Sequence, residues 1–192
     1  MYDNVMNKWA WGNMDDAEHG IYMDENNRRM VTNLRLQMSN LAESLLNQQE
    51  AKKALSVLDE MMRATPRENV PFSRVMMPVA ETYLQLAGDA NVAPNAAELS
   101  EEDRVHAWTM AQEVVDQFMS MQEDQLLYCT SLDPEYYVAL DREAQFALQI
   151  GDRLVRVMKY YHAGTEQAKA LEARLTDMEA MVEAYEANYL AM

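Results

Sequence analysis

The sequence is poor in residues that break helices and in residues that form covalent cross-links. Its 192 residues include five glycines, five prolines and one cysteine, against seventeen methionines. Because Cys129 is alone, no intramolecular disulfide is possible. The scarcity of glycine and proline, beside many alanines, leucines and glutamates, favours helices over sheets. The composition therefore predicts an all-α protein.

Positive charge and long apolar runs are also scarce. Sixteen lysines and arginines stand against 32 acidic residues, so the net charge is -16 at pH 7. Such a charge argues against binding nucleic acid or anionic lipid directly. No run approaches the roughly 18 apolar residues of a membrane span, and the first residues lack the apolar segment of a signal peptide. We therefore expect no nucleic-acid partner and no direct insertion of this chain into a membrane.

Apolar residues recur at steps of three and four along most of the chain, which is the helical period. Six helices are predicted to begin near Asp24, Glu50, Pro71, Ser100, Asp133 and Gly164. Pro78 should kink the third helix or mark its true first turn. Residues 1–24 show no sustained period but contain Trp9 and Trp11. We expect a non-helical strap, meaning residues 1–24, with at least one tryptophan packed on the helices.

Short links between successive helices predict antiparallel hairpins. The first hairpin fits a tetratricopeptide repeat of about 34 residues. A second repeat fits only with a long loop between its helices, and the last hairpin has helices too long for the pattern. The predicted fold is tetratricopeptide-like, with the strap at residues 1–24 and a helical-repeat domain at residues 25–192. A plain helical bundle is the alternative.

The stretch HGIYMDENNRRM, residues 19–30, is the most site-like part of the sequence. As a calcium loop with Gly20 sixth, it would have Ala17 third and Asn26 twelfth, where oxygen ligands and a bidentate glutamate are needed. The calcium interpretation therefore fails. A helix start fits better, because Asp24 can cap the exposed amides and Glu25 favours the positive end of the helix dipole.

Arg28 and Arg29 are not explained by that helix start, because positive charge is unfavourable in the first helical turn. We expect one of them to form a bidentate pair with a carboxylate of this domain and the other to remain exposed.

No catalytic pattern emerges elsewhere. His19, His106 and His162 each lack a second metal ligand at helical spacing. Cys129 is typical of a small core residue, and the chain has neither a phosphate-binding glycine loop nor a serine elbow. The basic residues with which tetratricopeptide clamps hold acidic C-termini are missing too. We predict no catalytic residue, no cofactor and no metal.

Several strings in the N-terminal half resemble a known family. They are YDNVMNKWAWGN, IYMDENNRRMVTNLR, LAESLL, KALSVLDEMM, NVPFS and PVAETYLQLAG. Together they resemble the C-terminal soluble region of a family of bacterial multi-spanning membrane proteins of unknown function. That family is similar to the transmembrane protein O-mannosyltransferases of the glycosyltransferase C superfamily. The resemblance covers about residues 2–88, and YMDENNRRM is its most specific part.

The resemblance implies a detached C-terminal piece that follows a bundle of membrane helices and carries no catalytic residue. Its role would be to dock on the membrane domain of the parent protein or to hold an acceptor polypeptide, at the periplasmic face of the membrane. The docking residues would be Tyr22, Asp24, Glu25, Arg28 and Arg29. The alternative is a free-standing cytoplasmic adaptor of tetratricopeptide type, and a small-molecule enzyme is the least favoured.

Overall fold

The computed structural model describes residues 1–190, apart from the side chains of residues 134, 135, 137–140 and 188–190. Every regular element in that part is helical, which confirms the all-α prediction. The helices are α1 (Tyr2–Asn7), α2 (Glu25–Asn47), α3 (Ala51–Ala64), α4 (Met76–Ala87), α5 (Glu101–Ser131), α6 (Pro134–Tyr161) and α7 (Glu166–Leu190), and one turn of 3-10 helix covers Pro94–Ala96.

Local sequence signals explain several helix starts. Ser100 and Asp103 form the predicted capping box: the Asp103 amide donates to Ser100 Oγ at 3.1 Å, and the Ser100 amide donates to Asp103 Oδ2 at 3.3 Å. Pro134 occupies the first position of α6, directly after Asp133. The helix α4 begins at Met76 rather than at Pro71, so Pro78 lies in its first turn, where no backbone donor is needed.

The strap differs from its prediction at its first residues. Tyr2–Asn7 form the helix α1, with Asp3 Oδ1 accepting from the Asn7 side chain at 2.9 Å and Val5 buried. The expectation of a non-helical strap is therefore wrong for these six residues, because six residues are too few to reveal a helical period. Residues 8–24 are irregular, as expected, with a left-handed backbone at Gly12 and Gly20.

The contacts divide the chain into two compact units, Met1–Ala111 and Gln112–Met192. The first unit contains the strap, and its core lies among α2, α3 and α4. The largest fully buried apolar side chains of those helices are Met38, Leu46, Leu58, Met61, Met76, Tyr83, Leu84 and Leu86. Burying side chains of this size stabilises a fold by about 1.5–3 kcal/mol each, before conformational entropy is counted.

The second unit is built on the α6–α7 hairpin and the C-terminal part of α5. A Cβ added at Gly151 would lie 3.1 Å from Leu175 Cδ1 and 3.3 Å from Met119 Cε, so α6 packs closely on both neighbours at this point. The guanidinium of Arg174 in α7 forms a bidentate pair with Glu123 of α5, with Nε–Oε1 at 2.6 Å and Nη2–Oε2 at 2.7 Å. Polar contacts thus reinforce the apolar packing of this unit.

Candidate functional site

The start of α2 has the cap that the sequence predicts. Asp24 has an extended backbone, and its Oδ1 accepts a hydrogen bond from the Asn27 amide at 2.8 Å. Glu25 follows in the first turn, where its charge suits the helix dipole. These two residues therefore have a local structural role, and the cap fixes the direction in which α2 leaves the strap.

Several other residues of the stretch are exposed. Tyr22 is 92% exposed and Met30 is 66% exposed. Arg28 and Arg29 are both exposed, and within the described residues neither side chain has an acidic partner. The prediction of one internal bidentate arginine pair is therefore wrong. The reason is positional: the first buried residue of α2 is Val31, so both arginines precede the part of the helix that packs.

A different arginine of α2 is internal. Arg35 is 1% exposed and lies on the same face as the buried Val31 and Met38. Its Nε donates to Thr65 Oγ1 at 2.9 Å and its Nη1 to the Pro71 carbonyl at 3.1 Å. Its Nη2 donates to the Val70 carbonyl at 2.7 Å and also to the Thr65 carbonyl.

No carboxylate accompanies Arg35 among these contacts. Burial lowers the pKa of its guanidinium to about 10, so the group stays charged at neutral pH. The ring of Phe72 lies under it, with the guanidinium carbon 5.6 Å from the ring centre. The guanidinium therefore satisfies buried carbonyls of the segment between α3 and α4 and ties that segment to α2.

The segment between α3 and α4 also makes hydrogen bonds to the strap. Asn69 is buried, and its Oδ1 accepts from the Ile21 amide at 2.8 Å. Its Nδ2 donates to the carbonyls of Met14 at 2.8 Å and Asp16 at 2.9 Å. One amide side chain thus makes three hydrogen bonds to the strap backbone. It fixes the position of Ile21, the residue that precedes Tyr22.

Two contacts with α3 hold earlier residues of the strap. The indole Nε1 of Trp11 donates to Glu60 Oε1 at 2.8 Å, and Arg63 donates to Asp15 Oδ2 at 2.8 Å. Trp9 packs edge-on against Trp11, with ring centres 5.5 Å apart. The expectation that at least one tryptophan packs on the helices is confirmed by Trp11.

Three titratable side chains meet near the start of α5. Asp59 Oδ1 accepts from the hydroxyl of the buried Tyr83 at 3.0 Å and lies 3.0 Å from Nε2 of the exposed His106. No nucleophile accompanies them in these contacts. We assign the group to the attachment of α5 onto α3 and α4.

Cys129 is fully buried, as its prediction as a core residue requires. In the described part of the chain, no three histidine, cysteine or acidic side chains group closely enough to hold a metal ion. No described helix offers a stretch long and apolar enough to cross a membrane.

The fold and the site define an all-α protein of helical hairpins with an exposed, capped helix start. No family model matches the sequence, and neither a curated protein nor a solved structure matches it. The resemblance to the membrane-protein family therefore stays a prediction.

Proposed function

We propose that this protein is a non-catalytic interaction domain whose docking surface is the start of α2. The docking surface consists of Tyr22, Arg28, Arg29 and Met30, with Asp24 and Glu25 shaping the helix start behind them. The observation that carries the proposal is the pair of exposed guanidiniums without acidic partners in a chain of net charge -16. So many acids make local pairing easy, and these two arginines do not pair within the described chain.

Aromatic, methionine and arginine side chains are the types enriched in protein interfaces. Tyr22 and Met30 are large exposed side chains close in sequence to the two cations. A partner with a carboxylate group next to an apolar surface would match both features. We propose that this partner is the membrane domain of a parent glycosyltransferase-like protein or its acceptor polypeptide, at the periplasmic face of the membrane. A cytoplasmic adaptor would use the same surface on a protein of the cytosol.

The docking surface is held in a defined position before any partner arrives. Asn69 fixes the strap up to Ile21, and the Asp24 cap fixes the first turn of α2. A surface that is already ordered loses less conformational entropy on binding than a flexible tail would. This preorganisation supports a docking role for a segment that makes few contacts of its own.

Photo-crosslinking in cells tests the proposal. A benzoylphenylalanine at position 22 should form an adduct with an integral membrane protein, extracted only by detergent. The matched control is position 128, because Tyr128 is 58% exposed but lies in the second unit. Adding Arg28→Glu to the position-22 variant should abolish the adduct. An adduct with a cytosolic protein would favour the adaptor, and no adduct in either fraction would refute the docking surface.

A further inference from the structure

The outer face of α2 carries a regular row of uncharged residues. Asparagines recur every seven residues, at Asn26, Asn33, Asn40 and Asn47. Three residues fall between them at alternating steps of four and three: Met30, Gln37 and Ser44. All seven are exposed, and at 100° per residue they lie opposite the buried face of the helix. We call these seven residues the α2 seam.

Alternating steps of three and four are the period with which two helices pack along their length. A single asparagine in an apolar seam of this kind specifies the register and the number of helices, at a cost in stability. It is also a poor helix former for an exposed surface, less favourable than alanine by roughly 0.5–0.7 kcal/mol per residue. No side-chain hydrogen bond joins the four asparagines to another described residue. The seam therefore has the spacing of a helix-packing surface, and its asparagines make no side-chain hydrogen bond within the described part of the chain.

The chemistry of the seam suits a copy of itself. A carboxamide both donates and accepts hydrogen bonds, so a row of carboxamides is complementary to an identical row. Two copies of a chain with net charge -16 repel each other, and an approach over an acidic face would bring like charges into contact. The seven seam residues include no acid, so pairing along the seam brings no acids of the seam itself into contact.

The flank of the seam determines the orientation. Arg29, Leu36 and Glu43 are also seven residues apart and form one edge of the seam. Arg29 and Glu43 are exposed, and Leu36 is half-buried. If two α2 helices run antiparallel about a two-fold axis at Leu36, each Arg29 faces Glu43 of the second copy. A parallel pair would instead place Arg29 against Arg29.

We propose that two copies of this protein associate through their α2 seams, antiparallel and centred on Leu36. Among the seven seam residues Met30 alone is a large apolar side chain, so the apolar area that pairing buries is small. The association is accordingly weak and sensitive to salt, because exposed ion pairs are screened. The proposal does not rest on the docking function, but Arg29 and Met30 take part in both surfaces, so a second copy and a docked partner would compete for these residues.

Exchanging the charges at positions 29 and 43 tests the pairing. Dimerisation is measured by sedimentation velocity from micromolar to millimolar protein at low salt. Arg29→Glu and Glu43→Arg each convert two attractive contacts into two repulsive ones, and each should weaken dimerisation at least about tenfold. The double variant Arg29→Glu/Glu43→Arg should restore it. Arg28→Glu is the matched control, because it changes the net charge equally but lies off the seam. Circular dichroism checks that all four variants stay folded.

Each outcome of these measurements either supports or overturns the proposed dimer. Rescue by the double variant, with the control unchanged, supports the antiparallel seam. A wild-type chain that stays monomeric at millimolar concentration overturns the proposal. It is likewise overturned if the double variant is as weak as the single ones, or if Arg28→Glu is as damaging as Arg29→Glu. The crosslink expected at position 22 is a separate readout, because sedimentation is measured on the purified chain alone.

Discussion

Replacing Arg35 with methionine tests how the first unit is held together. Methionine has a similar length and fills similar space, but it removes every donor of the guanidinium. The carbonyls of Thr65 and Val70 would lose their partner, and both residues are 1% exposed. A buried carbonyl without a partner costs about 1–3 kcal/mol. The Pro71 carbonyl lies on an exposed residue, so water can replace the third contact.

One effect opposes this loss. The burial that lowers the pKa of Arg35 also makes its charge costly to keep, and methionine relieves that cost. We expect the loss of the hydrogen bonds to dominate, because the wild-type guanidinium is bonded on three of its nitrogens. The net decrease in the free energy of unfolding should be about 2–4 kcal/mol. Arg35→Lys should lower the free energy of unfolding less than Arg35→Met does. It should still lower it, since one ammonium cannot span carbonyls that the planar guanidinium reaches together.

Urea unfolding followed by tryptophan fluorescence measures this loss, because Trp9, Trp11 and Trp108 all lie in the first unit. The matched control is Arg29→Met, the same change on the exposed face of the same helix. The control should stay within about 0.5 kcal/mol of the wild type. If Arg35→Met is as stable as Arg29→Met, the guanidinium does not hold the segment between α3 and α4, and the reasoning fails.

Three further predictions follow from the contacts of the first unit. Asn69→Ala should lower the melting temperature and expose the strap to protease, and an unchanged digestion pattern would show that the strap is held elsewhere. Ser100→Ala should cost about 1 kcal/mol by removing the cap of α5, measured by urea unfolding. The hydrogen bond and charge of Arg63, with a smaller contribution from the Trp11 hydrogen bond, lower the pKa of Glu60 below its ordinary 4.5. The stability from this lowered pKa is complete above pH 4.5 and is lost as the pH falls through the folded-state value. Trp11 emission should therefore shift in acid, and Glu60→Gln should remove that dependence.

Periodicity and caps predicted most of the fold because they are local. The stripe of α2, the cap at Asp24 and the box at Ser100 depend on residues within one or two turns, and all of them appear in the structure. The helix α1 escaped prediction because it is shorter than two helical turns. The boundary between the two units also gives no local signal, since α5 runs continuously across residues 111 and 112.

The candidate site was harder to predict because its residues depend on the third dimension. Arg28 and Arg29 were predicted to include an internal ion pair, because positive charge is unfavourable near a helix start. Both arginines lie ahead of the packed part of α2. Arg35 has a signal that was available: it falls on the apolar stripe between Val31 and Met38. A charge on such a stripe indicates a buried partner. Which partner it finds, backbone carbonyls or a carboxylate, depends on a segment 30 residues away.

The segment between α3 and α4 joins the strap to α2. Arg35 ties it to α2 from one side, and Asn69 ties it to the strap from the other. The position of Tyr22 relative to Arg28 is therefore set through this segment, whereas the α2 seam is set within a single helix. Asn69→Ala should consequently weaken crosslinking from position 22 while leaving the concentration dependence of sedimentation unchanged. A loss of both activities in a folded Asn69→Ala variant would contradict this independence, because it would mean that self-association also requires the strap.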